Sequence, residues 1–122
     1  MSAHDSARRE AAAPIASLIA KSEKARHKLA PGTWQHAMLS DNLDALRIAT
    51  ALMSGDTDAR NGIAPDAMRH ALRAFASMIA RTERAAARSR PGTAQHTLLA
   101  NRLHALGLAE ALIVEALDAG HT

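Results

Sequence analysis

Apolar residues recur along most of the chain at helical spacing, and three breaks divide them into four segments. From about Ala7 to Leu29, the positions Ile15, Leu18, Ile19, Ala25 and Leu29 fall on one face of a 3.6-residue helix. Pro14 either kinks this first helix or opens its main part. Pro31-Gly32 ends it, because proline cannot continue a helix and glycine supplies turn conformations. Thr33 is a good N-cap for a second helix, Trp34 to about Met53. Gly55 to Gly62, with Asp56, Asp58 and Asn61, reads as a linker. Pro65 opens a third helix that runs to about Arg90, and Thr93 caps a fourth, Ala94 to about Asp118.

The second half of the chain restates the first. Displaced by 60 residues, Ile15 to Met53 aligns with Phe75 to Ile113 without a gap, and 18 of the 39 pairs are identical. Others are conservative, such as Lys21/Arg81, Ser22/Thr82, Lys24/Arg84 and Lys28/Arg88. The best match sets Pro31-Gly32-Thr33-Trp34-Gln35-His36 against Pro91-Gly92-Thr93-Ala94-Gln95-His96. Self-similarity of this extent predicts an internal duplication of a helical hairpin. Short turns make the helices of each hairpin antiparallel neighbours. The expected fold is all-α: one domain, an up-down-up-down four-helix bundle of two repeats (about 1–57 and 61–122). An open pair of hairpins that closes only in a dimer is the alternative.

The second and fourth helices carry more apolar surface than one buried stripe needs. Leu39, Leu43, Leu46 and Met53 form one stripe of the second helix, and Trp34, Met38, Ala45, Ile48 and Leu52 another. On the fourth, Leu99, Leu103, Leu106, Ile113 and Leu117 lie opposite Leu98, Ala105, Leu108, Leu112 and Ala116. Together such stripes span roughly 200°, against about 100° for a surface helix. These helices are therefore the centre of the fold, or they carry a homodimer interface through Trp34, Met38, Ile48, Leu52, Leu98, Leu108 and Leu112.

Composition thins the core. Ala accounts for 30 of 122 residues, and Trp34 and Phe75 are the only aromatics, so each buried position removes little area from water. A thin core in a short chain favours close helix packing and help from a second subunit. The absence of Cys rules out a disulfide framework and thiol chemistry. No apolar run approaches the ~20 residues of a membrane helix, and Met1 to Pro14 has no apolar stretch of a secretory signal. A soluble, cytoplasmic protein without membrane contact is expected.

Net charge is only +3 although the pI is about 10.2, so placement matters more than the sum. The ends of the first and third helices are basic, with Lys21, Lys24, Arg26 and Lys28 in one and Arg81, Arg84, Arg88 and Arg90 nearby in the other. The second and fourth helices are net acidic, with Asp41, Asp44, Glu110, Glu115 and Asp118 against Arg47 and Arg102. In an up-down-up-down bundle both Pro-Gly turns share one end. That end would gather the cations, His36, His96 and two helix N-termini, a place for phosphate or a nucleic-acid backbone around Gln35, His36, Gln95, His96, Lys24, Lys28, Arg84 and Arg88. The plainer reading of the repeated motif is a turn followed by a cap, with His in the position a capping box gives to Glu or Gln. No aromatics interleave the basic residues, so no stacking platform for single strands is expected.

Catalytic and metal chemistry find no complete motif. Glu23 and Glu83 recur, yet the helices opposite them lack the Glu-x-x-His pairs of a di-iron bundle. His36 and His96 alone are an incomplete zinc site. His4, His27, His70, His104 and His121 do not recur and read as surface residues. Ser22, Thr82, Gln35, Asn42 and Gln95 fall on apolar arcs, where they would fix register or line a small polar pocket. The leading expectation is a non-enzymatic interaction module without cofactor, homodimeric and open to a protein partner. Anion or nucleic-acid binding at the basic end is second. A small-ligand or enzyme site at the two Gln-His pairs is third.

Overall fold

The computed structural model describes residues 3–119, all of whose regular elements are α-helices. His121 lies outside the described residues, as does the side chain of His4. The helices are α1 (Ala3–His27), α2 (Trp34–Met53), α3 (Thr57–Asn61), α4 (Pro65–Arg88) and α5 (Ala94–Ala119).

α1 runs through Pro14 without a break. A mid-helix proline loses one backbone bond and crowds the preceding turn. Ala11 and Ile15 on either side of it are fully buried, and that anchorage holds the helix continuous. α1 ends two residues earlier than the apolar pattern suggests. The amides of Lys28 and Leu29 bond back three residues, to Ala25 and Arg26 (3.2 and 3.0 Å), which tightens the last turn. Ser89 does the same to Ala86 (3.1 Å) and stops α4 at Arg88.

The linker holds the one element the hydrophobic pattern does not predict. Asp56 caps α3, its carboxylate accepting from the amides of Asp58 (2.9 Å) and Ala59 (3.4 Å). A five-residue helix with no buried residue leaves no apolar periodicity to read.

α1 packs on α2 and α4 on α5; α2 also packs on α4, α1 on α5, and α2 on α5. In the first hairpin Arg26 donates to Ser40 (3.3 Å) while Glu23 meets Arg47 (3.7 Å), so the two helices run in opposite directions. Eight of the fifteen residues in the main buried cluster are Ala. Ala45 and Ala49 of α2 and Ala105 and Ala109 of α5 stand at matching repeat positions, all of them buried. Small side chains let helix axes approach to the short end of the usual ~8–10 Å range. Ile15, Leu46, Phe75, Leu106 and Ile113 supply the bulk around them. α2 and α5 thus carry wide apolar arcs in part because they lie at the centre of the core.

α5 is long and apolar enough, by length and composition, to cross a membrane, although its apolar run is interrupted. Its abundant Leu and Ala dilute Arg102, His104 and Glu110. Only 28% of its most apolar 18-residue window is buried in the fold.

Candidate functional site

The two Pro-Gly turns are built alike. Thr33 donates its backbone amide to the Ala30 carbonyl (3.4 Å), with Pro31 and Gly32 between them and Gly32 at φ +94°. Thr93 and Arg90 enclose Pro91 and Gly92 the same way (3.3 Å, φ +87°). Proline followed by a residue of positive φ is the type II pattern, which makes glycine the natural occupant. Nothing lies within 4 Å of where a Cβ would stand on either glycine, so backbone conformation alone selects it.

Each threonine hydroxyl then works twice. It accepts from the amide of His36 or His96 (3.2 Å each) and donates to the carbonyl of Ala30 (3.0 Å) or Arg90 (2.7 Å). The turn and the helix start are thereby one hydrogen-bonded unit. His36 and His96 are half-buried; Gln35 and Gln95 are exposed, off the inner face where their spacing put them. The Ser89 hydroxyl donates to Ala86 (2.7 Å) and lies 2.7 Å from His96 Nδ1. With the serine proton committed to Ala86, His96 Nδ1 is the donor of that second bond. The first hairpin has Leu29 at this position and no equivalent bond.

Contacts also link α4 to α2 across the two hairpins. Arg81, near the end of α4, reaches the sulfur of Met38, near the start of α2. Trp34 and Ser77 line one groove there, with His70, Arg73 and Asp41. Residues 21–41 and 81–101, which carry the two turns, hold eight Lys/Arg against three carboxylates. The rest of the chain holds seven against nine. Charge is thus unevenly distributed along the chain although its net value is small. Lys24, Lys28, Arg84 and Arg88 are all exposed.

The residues expected at a dimer interface separate. Leu52 is buried in the core (7% exposed). Ile48, Leu108 and Leu112 are half-buried and pack against the core cluster, and Met38 is half-buried as well. Trp34 (70%) and Leu98 (48%) remain open, joined by Val114 (42%), which lay outside both apolar stripes. Thr82 is buried, and its hydroxyl is satisfied within its own helix by Met78 (2.8 Å) rather than across the core. Asn42 is buried, and Ser22 half-buried. Among the described residues no group of three or more His, Cys, Asp or Glu side chains is placed to hold a metal.

The basic end of α4 extends further along one face than the sequence reading placed it, to Arg73 and Ser77. Arg73, Ser77, Arg81, Arg84 and Arg88 recur at three- to four-residue intervals or multiples of them, and all are exposed. The signal was present: Ser17, Lys21, Lys24 and Lys28 repeat the last four positions in α1. Compared with protein-family models, curated proteins and solved structures, the chain matches none.

Proposed function

We propose that the protein is a non-enzymatic helical interaction module that self-associates. In this reading two duplicated hairpins pack as a four-helix up-down-up-down bundle, with α3 as an insertion between them. The matched turns, the opposed α1 and α2, and the contacts that link α2 to α4 and α1 to α5 support that architecture. The observation that carries the function is the exposure of α5. Leu98 near its start and Val114 sixteen residues on, on another side of the helix, are exposed, and Leu103, Leu108, Leu112 and Leu117 are only half-buried. A second copy laid along α5 would cover more of these positions than the fold itself does.

Light scattering at micromolar concentration tests the proposal. Wild type is expected as a dimer, and Leu98→Glu with Val114→Glu as a folded monomer of unchanged helicity. A strictly monomeric wild type overturns it. Substitution of Ile48 or Leu108 is a poorer test, because both pack against the core and would also destabilise the fold.

The uneven placement of charge favours a second reading, anion binding at the end that carries both turns. Binding of inorganic polyphosphate should weaken steeply with salt. Lys24→Glu together with Arg84→Glu should reduce it at least tenfold; unchanged affinity would count against it.

A further inference from the structure

A groove between α2 and α4 combines an exposed aromatic ring with an arginine. Trp34 is the single tryptophan of the chain and is 70% exposed. It shares a groove between α2 and α4 with Arg73 and Ser77. Arg81 contacts Met38, which lines the same groove. Arg84 and Arg88 continue the exposed face of α4 toward the second turn. From Arg73 to Arg88 is fifteen residues, about 22 Å of helix.

The corresponding positions of the other hairpins differ in kind. Where α4 has Arg81, Arg84 and Arg88, α1 has Lys21, Lys24 and Lys28, and where α2 begins with Trp34, α5 begins with Ala94. Lysine offers a hydrated point charge; arginine offers a planar fork that binds phosphate in two places and stacks on rings. Chain order puts no aromatic among the basic residues and so predicts no stacking platform, but the fold sets the exposed ring of Trp34 in one groove with Arg73, which reopens that expectation.

Building on the anion-binding reading of this end, we infer that the α2/α4 groove binds single-stranded nucleic acid, with Trp34 stacking on a base and Arg73, Arg81, Arg84 and Arg88 meeting the phosphates. A single strand exposes the faces of its bases, which a duplex hides in its stack. A row of cations along a helix tracks a backbone. Asp41, on the α2 wall, repels phosphate and directs the strand to the α4 side. A membrane surface is a poorer fit, because Trp34 lies in a groove beside Asp41 rather than at the tip of a turn, and the tips themselves are Pro-Gly.

Titration of the full-length protein with a short oligothymidylate tests the inference. Binding should quench the fluorescence of Trp34, which is the whole tryptophan signal of the chain. Affinity should fall with salt at a slope on the order of −3 in log–log form if all four arginines contact phosphate. Trp34→Ala should weaken binding roughly 5- to 100-fold with little change in that slope, and Trp34→Phe should restore most of it. Arg84→Glu with Arg88→Glu should weaken binding and flatten the slope, and should do both more strongly than Lys21→Glu with Lys24→Glu. Oligothymidylate that binds without quenching Trp34, and as tightly to Trp34→Ala, overturns the inference. So does polyphosphate of matched charge binding as tightly as the oligonucleotide, although the anion-binding reading then survives. Preference for phosphatidylglycerol vesicles over the oligonucleotide overturns it in favour of a lipid surface. No binding of either polyanion at low salt overturns both readings.

Discussion

In the first hairpin Leu29 precedes the turn, Trp34 follows it, and Arg47 reaches Glu23 at 3.7 Å. Sixty residues on, the same positions hold Ser89, which bonds His96 at 2.7 Å, then Ala94, and then Gly107, which has open space where Arg47 has a guanidinium. Inside, the hairpins stay alike: Ile15 and Phe75 are both fully buried, as are Leu46 and Leu106. The turn chemistry is also held in common, down to the threonine that caps, the glycine of positive φ and the backbone bond that closes them. The two hairpins are alike where they pack and turn, and differ where their side chains face outward.

The largest effects should come from the shared interior. Phe75→Ala is expected to cost about 3–5 kcal/mol and Ile15→Ala about 2–5 kcal/mol in urea denaturation, because both leave cavities in a core too rich in alanine to collapse around them. A cost below about 1 kcal/mol for Phe75→Ala would mean that the two hairpins do not depend on that contact. Gly32→Ala and Gly92→Ala should each destabilise by about 1–2 kcal/mol, and by similar amounts, since neither meets a steric neighbour and both carry positive φ. Thr33→Ala and Thr93→Ala should each cost about 1 kcal/mol through the lost cap. A marked inequality within either pair would break the symmetry of the turns.

The next two variants probe the differences. Gly107→Ala should stabilise by about 0.5–1 kcal/mol, because Gly107 is exposed within a helix and has room for a methyl group. If it instead weakens self-association in light scattering, close approach of another helix at Gly107 is the reason glycine stands there. The finest contrast is between the two histidines. His96→Ala should cost about 0.5–1.5 kcal/mol through the Ser89 bond, and His36→Ala less, because Leu29 offers no partner. Thermal melts of the two variants side by side decide it.

Much of the fold is legible from residue order. The bounds of α2 follow from Thr33 and the turn that precedes it, and the repeat places α5 once α2 is placed. α3 was not legible, since a side-chain cap and a backbone turn stabilise it and neither leaves an apolar pattern. Nor was the fate of the wide apolar arcs. Periodicity shows that Leu52 and Leu98 avoid the same polar face, but only packing tells that one is core and the other surface. The clustering of cations before each turn is legible from residue order alone. The exposure of Trp34 is not, because a tryptophan at the first position of an amphipathic helix reads as one more apolar residue.

The account rests above all on the two turns sharing one end of the molecule, for the charge polarisation and the groove beside Trp34 both depend on it. The chain has no cysteine, and Gln35, Gln95 and Asp58 are exposed, so single cysteines at these sites can be spin-labelled without altering the core. Electron–electron distance measurement on Gln35→Cys with Gln95→Cys should give a spacing of about two helix diameters, roughly 20 Å. Gln35→Cys with Asp58→Cys should give about 30 Å or more, the length of α2. A Gln35–Gln95 distance as long as the second pair would place the turns at opposite ends and contradict the account.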